Sequence, residues 1–405
     1  MKQTLLSRIR SNRQSDAGEV RSTYYESAST RFGIARIILY LALLAFIVLS
    51  LVNNRDLVTY ENFYYFFKDL NAVNLDLYEA DTIGYPTDEI QSFTLYRKGL
   101  SVAGNNSVSI FTQSGRQLIS ASVSYRNPVA LGSGKYLLVY DLGGTGYSLY
   151  NSYSQIHTGS TDSPITAGAI SPAGSYVLAT RGEADTLSTV LLYNDRFTLV
   201  NRYTKSGYVM DLSINDKGNL LAILLSDVSG GAFETKVFLY VPGESTQKAL
   251  VSLSSGLGIL CRFTSASYLA VLSEGGVDYI SYSGTLNHVA DFGTRKILSA
   301  DATGDGLAVA LAGERQLDTN QLIVLDKSGK QLYKASGMRS FICLSRTGKW
   351  IYCLSDGLVE RLNLSTGKWD SMPLSSKETK LLALDGEEFL LCSTQKATSM
   401  LFQPQ

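Results

Sequence analysis

One phrase returns down most of this 405-residue chain, and it restricts the fold more than any other feature. A small turn residue precedes an apolar run. Gly134 stands before YLLVY, Gly174 before YVLAT, Gly218 before LLAILL and Ala266 before YLAVLS. Gly304 then stands before LAVALA, Gly348 before WIYCLS and Gly386 before FLLCS. The steps between these turn residues are 40, 44, 48, 38, 44 and 38. A period of about 40–45 residues built from short strands is the mark of a β-propeller, one period per blade. An earlier unit without the turn glycine starts near SFTLYRKGLSVAG, residues 92–104. The expected fold is therefore all-β, a propeller of eight blades, with seven as the alternative.

Each unit can be divided further. The run after the turn is apolar at consecutive positions, which suits a strand buried on both faces between stacked sheets. A more alternating run follows, such as TVLLYN or KVFLYV, then a turn and a third run, such as KSGKQLYKA. A short run, such as PITAGAI or YVMDLSI, completes the set of four. Four strands per unit is the blade count. The last unit is one strand short. NLDLYEA, residues 74–80, is the candidate to supply its outer strand, since a closed ring leaves no open edge to aggregate.

Ahead of the repeats lies GIARIILYLALLAFIVLSLVNN, uncharged from Ile37 to Val52. With Arg36 reaching back to the headgroups, residues 34–53 are long enough to cross a bilayer as a helix. A cleavable signal peptide is the rival reading. A basic region of over thirty residues in front, and no A-x-A-like site behind, favour an uncleaved anchor. Residues 1–36 carry seven basic side chains (Lys2, Arg8, Arg10, Arg13, Arg21, Arg31, Arg36) against three acidic ones. Lys/Arg bias places residues 1–33 in the cytoplasm, as a disordered tail, and the propeller outside the cell. Residues 54–89 form a linker in which Phe63, Phe66, Phe67 and Leu70 share one helical face. That face suits the membrane interface or packing on the propeller. Residues 90–405 are the propeller itself.

Composition excludes several functions. Lys plus Arg equals Asp plus Glu at 36 each, so no nucleic-acid partner is expected. Cys261, Cys343, Cys353 and Cys392 lie in apolar runs without a CxxC pair, so buried thiols are expected and zinc is not. Cys343 and Cys353 flank one turn almost symmetrically, which leaves a cross-strand disulfide open. The two histidines, His157 and His288, are far apart and read as surface or core imidazoles. DLGGTGYS (141–148) reads as a hairpin loop, and DATGDG (301–306) lacks EF-hand spacing. No nucleophile elbow, HExxH or Walker motif occurs, so no cofactor, metal or catalytic residue is expected.

SDGLVERLNLSTGKW (355–369) resembles a quinoprotein-type propeller repeat, which implies the fold and no quinone. The layout of basic tail, anchor and aromatic linker continues into SFTLYRKGLSV, SYRNPVALGSGKYLLVYDLGGTGYSLYN (124–151) and GYVMDLSINDKGNLLAI (207–223). It is similar to an uncharacterised family of single-pass membrane proteins from Firmicutes. The resemblance implies a membrane-tethered extracytoplasmic propeller and brings no site residues.

Propellers bind through loops ringing the channel. The loops before the innermost strands contribute Arg126, Asp162, Lys205, Tyr208, Arg295 and Arg339. A basic and aromatic rim of this kind suits an acidic peptide or an anionic polymer. The expected role is a binding or scaffold module for a protein or cell-envelope polymer, held to the lipid bilayer by residues 34–53. Two alternatives stand beside it. One is an enzyme acting on an envelope glycan through acids such as Asp211 and Asp301. The other is a sensor signalling through the anchor.

Overall fold

The computed structural model describes residues 19–53, 82–182, 186–229, 231–314, 319–337, 340–374, 379–384 and 387–402. Two units divide the chain near residue 77. The first contains α1 (Glu19–Asn53). Its stretch Arg31–Leu49 is long and apolar enough to span a membrane, and none of it is buried. The helix begins fifteen residues before the expected span, within the part of the tail expected to be disordered. No proline or glycine interrupts residues 19–32, so the helical hydrogen-bond ladder has nothing to break it. Arg36 bonds the Tyr40 hydroxyl one turn further along (3.2 Å). The aromatic linker helix and the NLDLYEA strand fall outside the described residues.

The second unit is a ring of eight antiparallel four-stranded sheets, β1–β32 in chain order. Blades one to four are β2–β5 (91–122), β6–β9 (128–160), β10–β13 (165–205) and β14–β17 (208–253). Blades five to seven are β18–β21 (258–291), β22–β25 (297–337) and β26–β29 (343–373). Blade eight is β30–β32 (380–401) plus β1 (Thr82–Gly84). Eight blades, rather than seven, are therefore present.

The third blade shows how burial tracks the sequence. Its innermost strand β10 (Ile165–Ile170) and second strand β11 (Tyr176–Arg181) are buried almost throughout. The outer strand β13 (Leu199–Lys205) is exposed on alternate residues. Middle strands are covered by neighbouring blades on both faces, so they need no polar side. Val177, Ala179, Val190 and Leu192 of this blade pack on Leu212, Leu221 and Ile223 of the next. Burying such side chains supplies roughly 25 cal/mol per Å² of apolar surface, which makes the blade interfaces the core.

The ring closes through β1. Thr82, Ile83 and Gly84 pair with Thr398, Ala397 and Lys396 of β32 (Lys396–Leu401). Ile83 is 3% exposed and packs with Leu100, Phe111 and Leu390, joining blades one and eight. Tyr85 adds a hydroxyl bond to the Ser393 carbonyl (2.7 Å). The N-terminal side thus supplies the outer strand as expected, but from residues 82–84 rather than 74–80.

All four cysteines are buried and free. Across the β26–β27 hairpin, Cys343 pairs with Leu354 and Cys353 with Leu344. The two cysteines are one residue out of register, and a strand sends successive side chains to opposite faces. Cys343 lies in the core against Phe389 and Cys353 in the core against Val324, so no disulfide can link them.

Candidate functional site

The innermost strands carry an unusual burden. Each has a pairing partner on one side and only the channel on the other, so its channel-side N–H groups need acceptors. Side chains of the preceding blade provide them. The Ser92 hydroxyl accepts from Ala130 N–H (3.1 Å), Ser213 from Phe263 (3.2 Å), Ser299 from Leu344 (3.0 Å) and Ser345 from Ala383 (2.9 Å). Two carboxylates do the same work: Asp211 accepts from Cys261 N–H (2.8 Å) and Asp301 from Arg346 N–H (2.6 Å). The donors recur at alternate residues, as one edge of a strand requires.

This gives the two acids considered for glycan chemistry a structural task. Burial pushes both carboxyls above the usual range, opposed for Asp211 mainly by Arg262 and for Asp301 mainly by the Arg346 N–H. No group of three potential metal ligands occurs among the described residues.

The channel widens into a cavity of about 1100 Å³ whose walls come from all eight innermost strands. It opens among the turns between first and second strands, where Asn215, Asp216, Ser265 and Gly304 line it. Arg262 and Arg346 also line it, and neither was among the six expected binding residues. A signal for them existed. The first strands of blades four to eight each carry charge inside an apolar run: Asp211, Arg262, Asp301, Arg346 and Lys380.

Five of the six expected residues belong to the other end, where strands enter from the preceding blade. They do not form one site. Arg126 is exposed, and its backbone N–H is held by Asp141 (2.8 Å). Asp162 stands in solvent 3.9 Å from Arg202. Lys205 is buried: its ammonium bonds the Tyr240 hydroxyl (2.5 Å) and lies 3.8 Å from the Phe238 ring centre. Burial lowers its pKa to about 8. Arg295 is tied to Glu314 (3.7 Å) and to the Thr319 carbonyl (3.3 Å), beside a second cavity of about 820 Å³. Tyr208 remains open to solvent, and Arg339 lies outside the described residues.

His288 lines that second cavity, held through Nδ1 by buried Asp278 (2.8 Å), which also accepts from the Ser255 hydroxyl (2.6 Å). His157 stacks on Phe197 with ring centres 4.7 Å apart. Both imidazoles therefore have local packing partners.

This end also presents large apolar side chains. In blades four, five and six the first strand has a β-bulge within its first three residues, skipping Met210, Ile259 and Leu298. A bulge redirects the side chain it inserts, and all three are exposed. Ile342 of the next blade and Tyr208 extend the arc. The hairpin of β15 (Leu221–Ser229) and β16 (Ala232–Tyr240) runs nine residues a side, against four to seven in most strands. Near its tip Val228 pairs with Phe233, both exposed, Phe233 by 68%.

These features define an eight-bladed propeller with exposed apolar side chains on one rim and a basic mouth at the other end. The chain belongs to DUF5711, a family of unknown function, which matches residues 80–348. No curated protein matches the sequence. Among solved structures, BamB from Moraxella catarrhalis is similar, with a TM-score of 0.51 and 13% identity, over 80% of this chain and 99% of that one. A eukaryotic initiation factor is similar at 0.50 and 13%, over 78% and 83%. At such identities the likeness concerns the fold alone.

Proposed function

We propose that this chain is a membrane-anchored, extracytoplasmic binding module that docks a protein partner on the apolar rim of its propeller. The observation that carries this reading is the run of bulges that exposes Met210, Ile259 and Leu298 in three consecutive blades. A bulge disturbs strand pairing, and exposing a large apolar side chain forgoes roughly 1.5–3 kcal/mol of burial. Three in adjacent blades, with Ile342, Tyr208 and the Phe233 tip exposed at the same end, gather large apolar side chains on one rim. A partner with a complementary apolar surface would regain that burial.

The basic excess before α1 supports a cytoplasmic N-terminus with the propeller outside the membrane. Protease treatment of intact cells tests this, with digestion of the propeller expected and its protection refuting the orientation. The docking surface is tested by in-cell crosslinking and mass spectrometry on the full chain. Met210→Asp, Ile259→Asp and Leu298→Asp together should remove at least one partner while the protein stays folded and membrane-bound. An unchanged partner set in a folded variant would refute the reading.

A further inference from the structure

The opposite mouth of the channel has its own chemistry. Five basic side chains line the 1100 Å³ cavity: Lys217, Lys248, Arg262, Lys327 and Arg346. None of them makes an ion pair among the described residues. Against them stand only Asp216 and Asp301 in the lining, and Asp301 already holds the Arg346 backbone N–H. Three further acids lie close by: Asp211, which holds the Cys261 N–H, near Arg262, and Asp305 and Asp326 near enough to Arg346 to favour its charge. Asp305 accepts from Gly348 N–H (3.0 Å), and Asp326 from Ser328 and Lys330 N–H (2.8 and 2.9 Å). Their carboxylates are thus turned to structural bonds within and between blades.

Arg346 is the sharpest feature. It is only 6% exposed, and Nη1 donates to the Leu325 carbonyl (2.6 Å). Its Nε is buried and has no hydrogen-bond partner. An unmade bond of a buried guanidinium is costly, so such groups are normally satisfied. Arg262, on the first strand two blades back, is half-buried, and its side chain makes no hydrogen bond among the described residues. A concave, low-dielectric wall concentrates the field of these cations.

We propose that this mouth is a binding site for a phosphate-class oxyanion, borne by a soluble polyphosphate or by a phospholipid headgroup. Two guanidiniums and three lysines gather on one cavity wall, and the buried Arg346 Nε still lacks an acceptor. A phosphate group brings near-divalent charge and several acceptors for the two guanidiniums, with the three lysines at the entrance adding long-range attraction.

The test uses the full chain in neutral detergent, titrated calorimetrically with inorganic phosphate, pyrophosphate and tripolyphosphate, with chloride as the control. A parallel arm titrates the same detergent-held chain with short-chain phosphatidylglycerol against short-chain diacylglycerol, which lacks the phosphate, because the anchor would float the chain with any vesicle. Affinity should rise from phosphate to tripolyphosphate and fall with added salt. Arg262→Gln should weaken binding roughly tenfold, as should Arg346→Gln where it folds. Arg262 makes no side-chain hydrogen bond among the described residues but sits near Asp211, so Arg262→Gln is first shown to unfold like the parent in urea, and it then keeps the test valid if Arg346→Gln unfolds. Binding in either arm that depends on Arg262 supports the proposal and names the source of the phosphate. Lack of binding in both arms, or binding indifferent to Arg262, overturns it.

Discussion

The stitches between innermost strands make a quantitative prediction at Asp301. Its carboxylate accepts the Arg346 N–H at 2.6 Å, and the strand that carries Arg346 has no other neighbour on that edge. Asp301→Ala leaves this buried N–H without an acceptor, which costs about 1–3 kcal/mol. The variant also withdraws a negative charge from the buried Arg346 guanidinium, already discouraged by desolvation. Relief of the carboxylate's own desolvation offsets part of this, so a net loss of about 2 kcal/mol is expected. Asp301→Asn keeps a carbonyl acceptor and should lose about half as much. The chain has two tryptophans, Trp350 and Trp369, both in blade seven, the blade whose N–H donates the bond. Trp369 moreover donates to the Tyr333 hydroxyl of blade six (2.9 Å). Urea unfolding of the full chain in detergent, followed by tryptophan fluorescence, therefore reports on the interface being cut. The pH dependence has a defined sign. A carboxyl whose folded pKa is raised binds its proton more tightly when folded, so stability falls as pH rises from about 3.8 through the folded pKa. That fall should shrink in Asp301→Asn. A loss below about 0.5 kcal/mol for Asp301→Ala would refute the stitching argument.

Three further outcomes follow from single residues. Ile83→Ala removes the buried anchor of the closing strand and should lower stability by about 2–4 kcal/mol, read in the same unfolding assay. Lys205 has its pKa lowered from 10.5 to about 8, so the folded state releases its proton first. Stability should therefore rise between about pH 8 and 10.5. Lys205→Met should flatten that rise and gain about 1–3 kcal/mol near pH 7, read from unfolding curves at several pH values. Four free thiols should be titratable in unfolded, never-reduced protein, and a Cys343→Ser variant should migrate unchanged on non-reducing gels.

How much of this was legible before the fold was known depends on how local each signal is. The blades were, because a strand sandwiched between sheets is apolar at every position, as in Tyr176–Ala179 and Leu269–Leu272. The closing strand was not, since Thr82–Gly84 has three residues and one buried side chain, too few for any period. Cys343 and Cys353 looked opposed because they are spaced about a turn. Their true relation is set by register, and the Thr347–Trp350 pair displaces it by one residue. Lys205 read as a rim residue beside the turn at Ser206 and Gly207. Its burial arises from Phe238 and Tyr240, more than thirty residues away in the next blade. Asp211 and Asp301 illustrate the same limit. An acid in an apolar strand advertises chemistry or a hydrogen bond alike, and only the next blade's N–H decides between them.

The two ends of the channel also make a joint prediction. Met210, Ile259 and Leu298 sit at the entrances of their first strands, while Arg262 and Arg346 face the cavity towards the exits. Along β18 (Gly258–Phe263) the rim residue Ile259 and the cavity residue Arg262 stand three residues apart, about 10 Å at about 3.3 Å per residue. Sites that far apart with no shared partner act additively, within about 0.3–0.5 kcal/mol. The inner strands between them are tied blade to blade by the serine and aspartate bonds, which leaves no loose element to switch. Combining the rim substitutions with Arg262→Gln should therefore remove the protein partner and weaken phosphate binding each by the amount seen separately. The comparison needs only the calorimetric and crosslinking readouts already described, on single and combined variants. A combined effect departing by more than about 1 kcal/mol from the sum would mean that the ring transmits between its faces, and that a stitched propeller is less rigid than its hydrogen bonds imply.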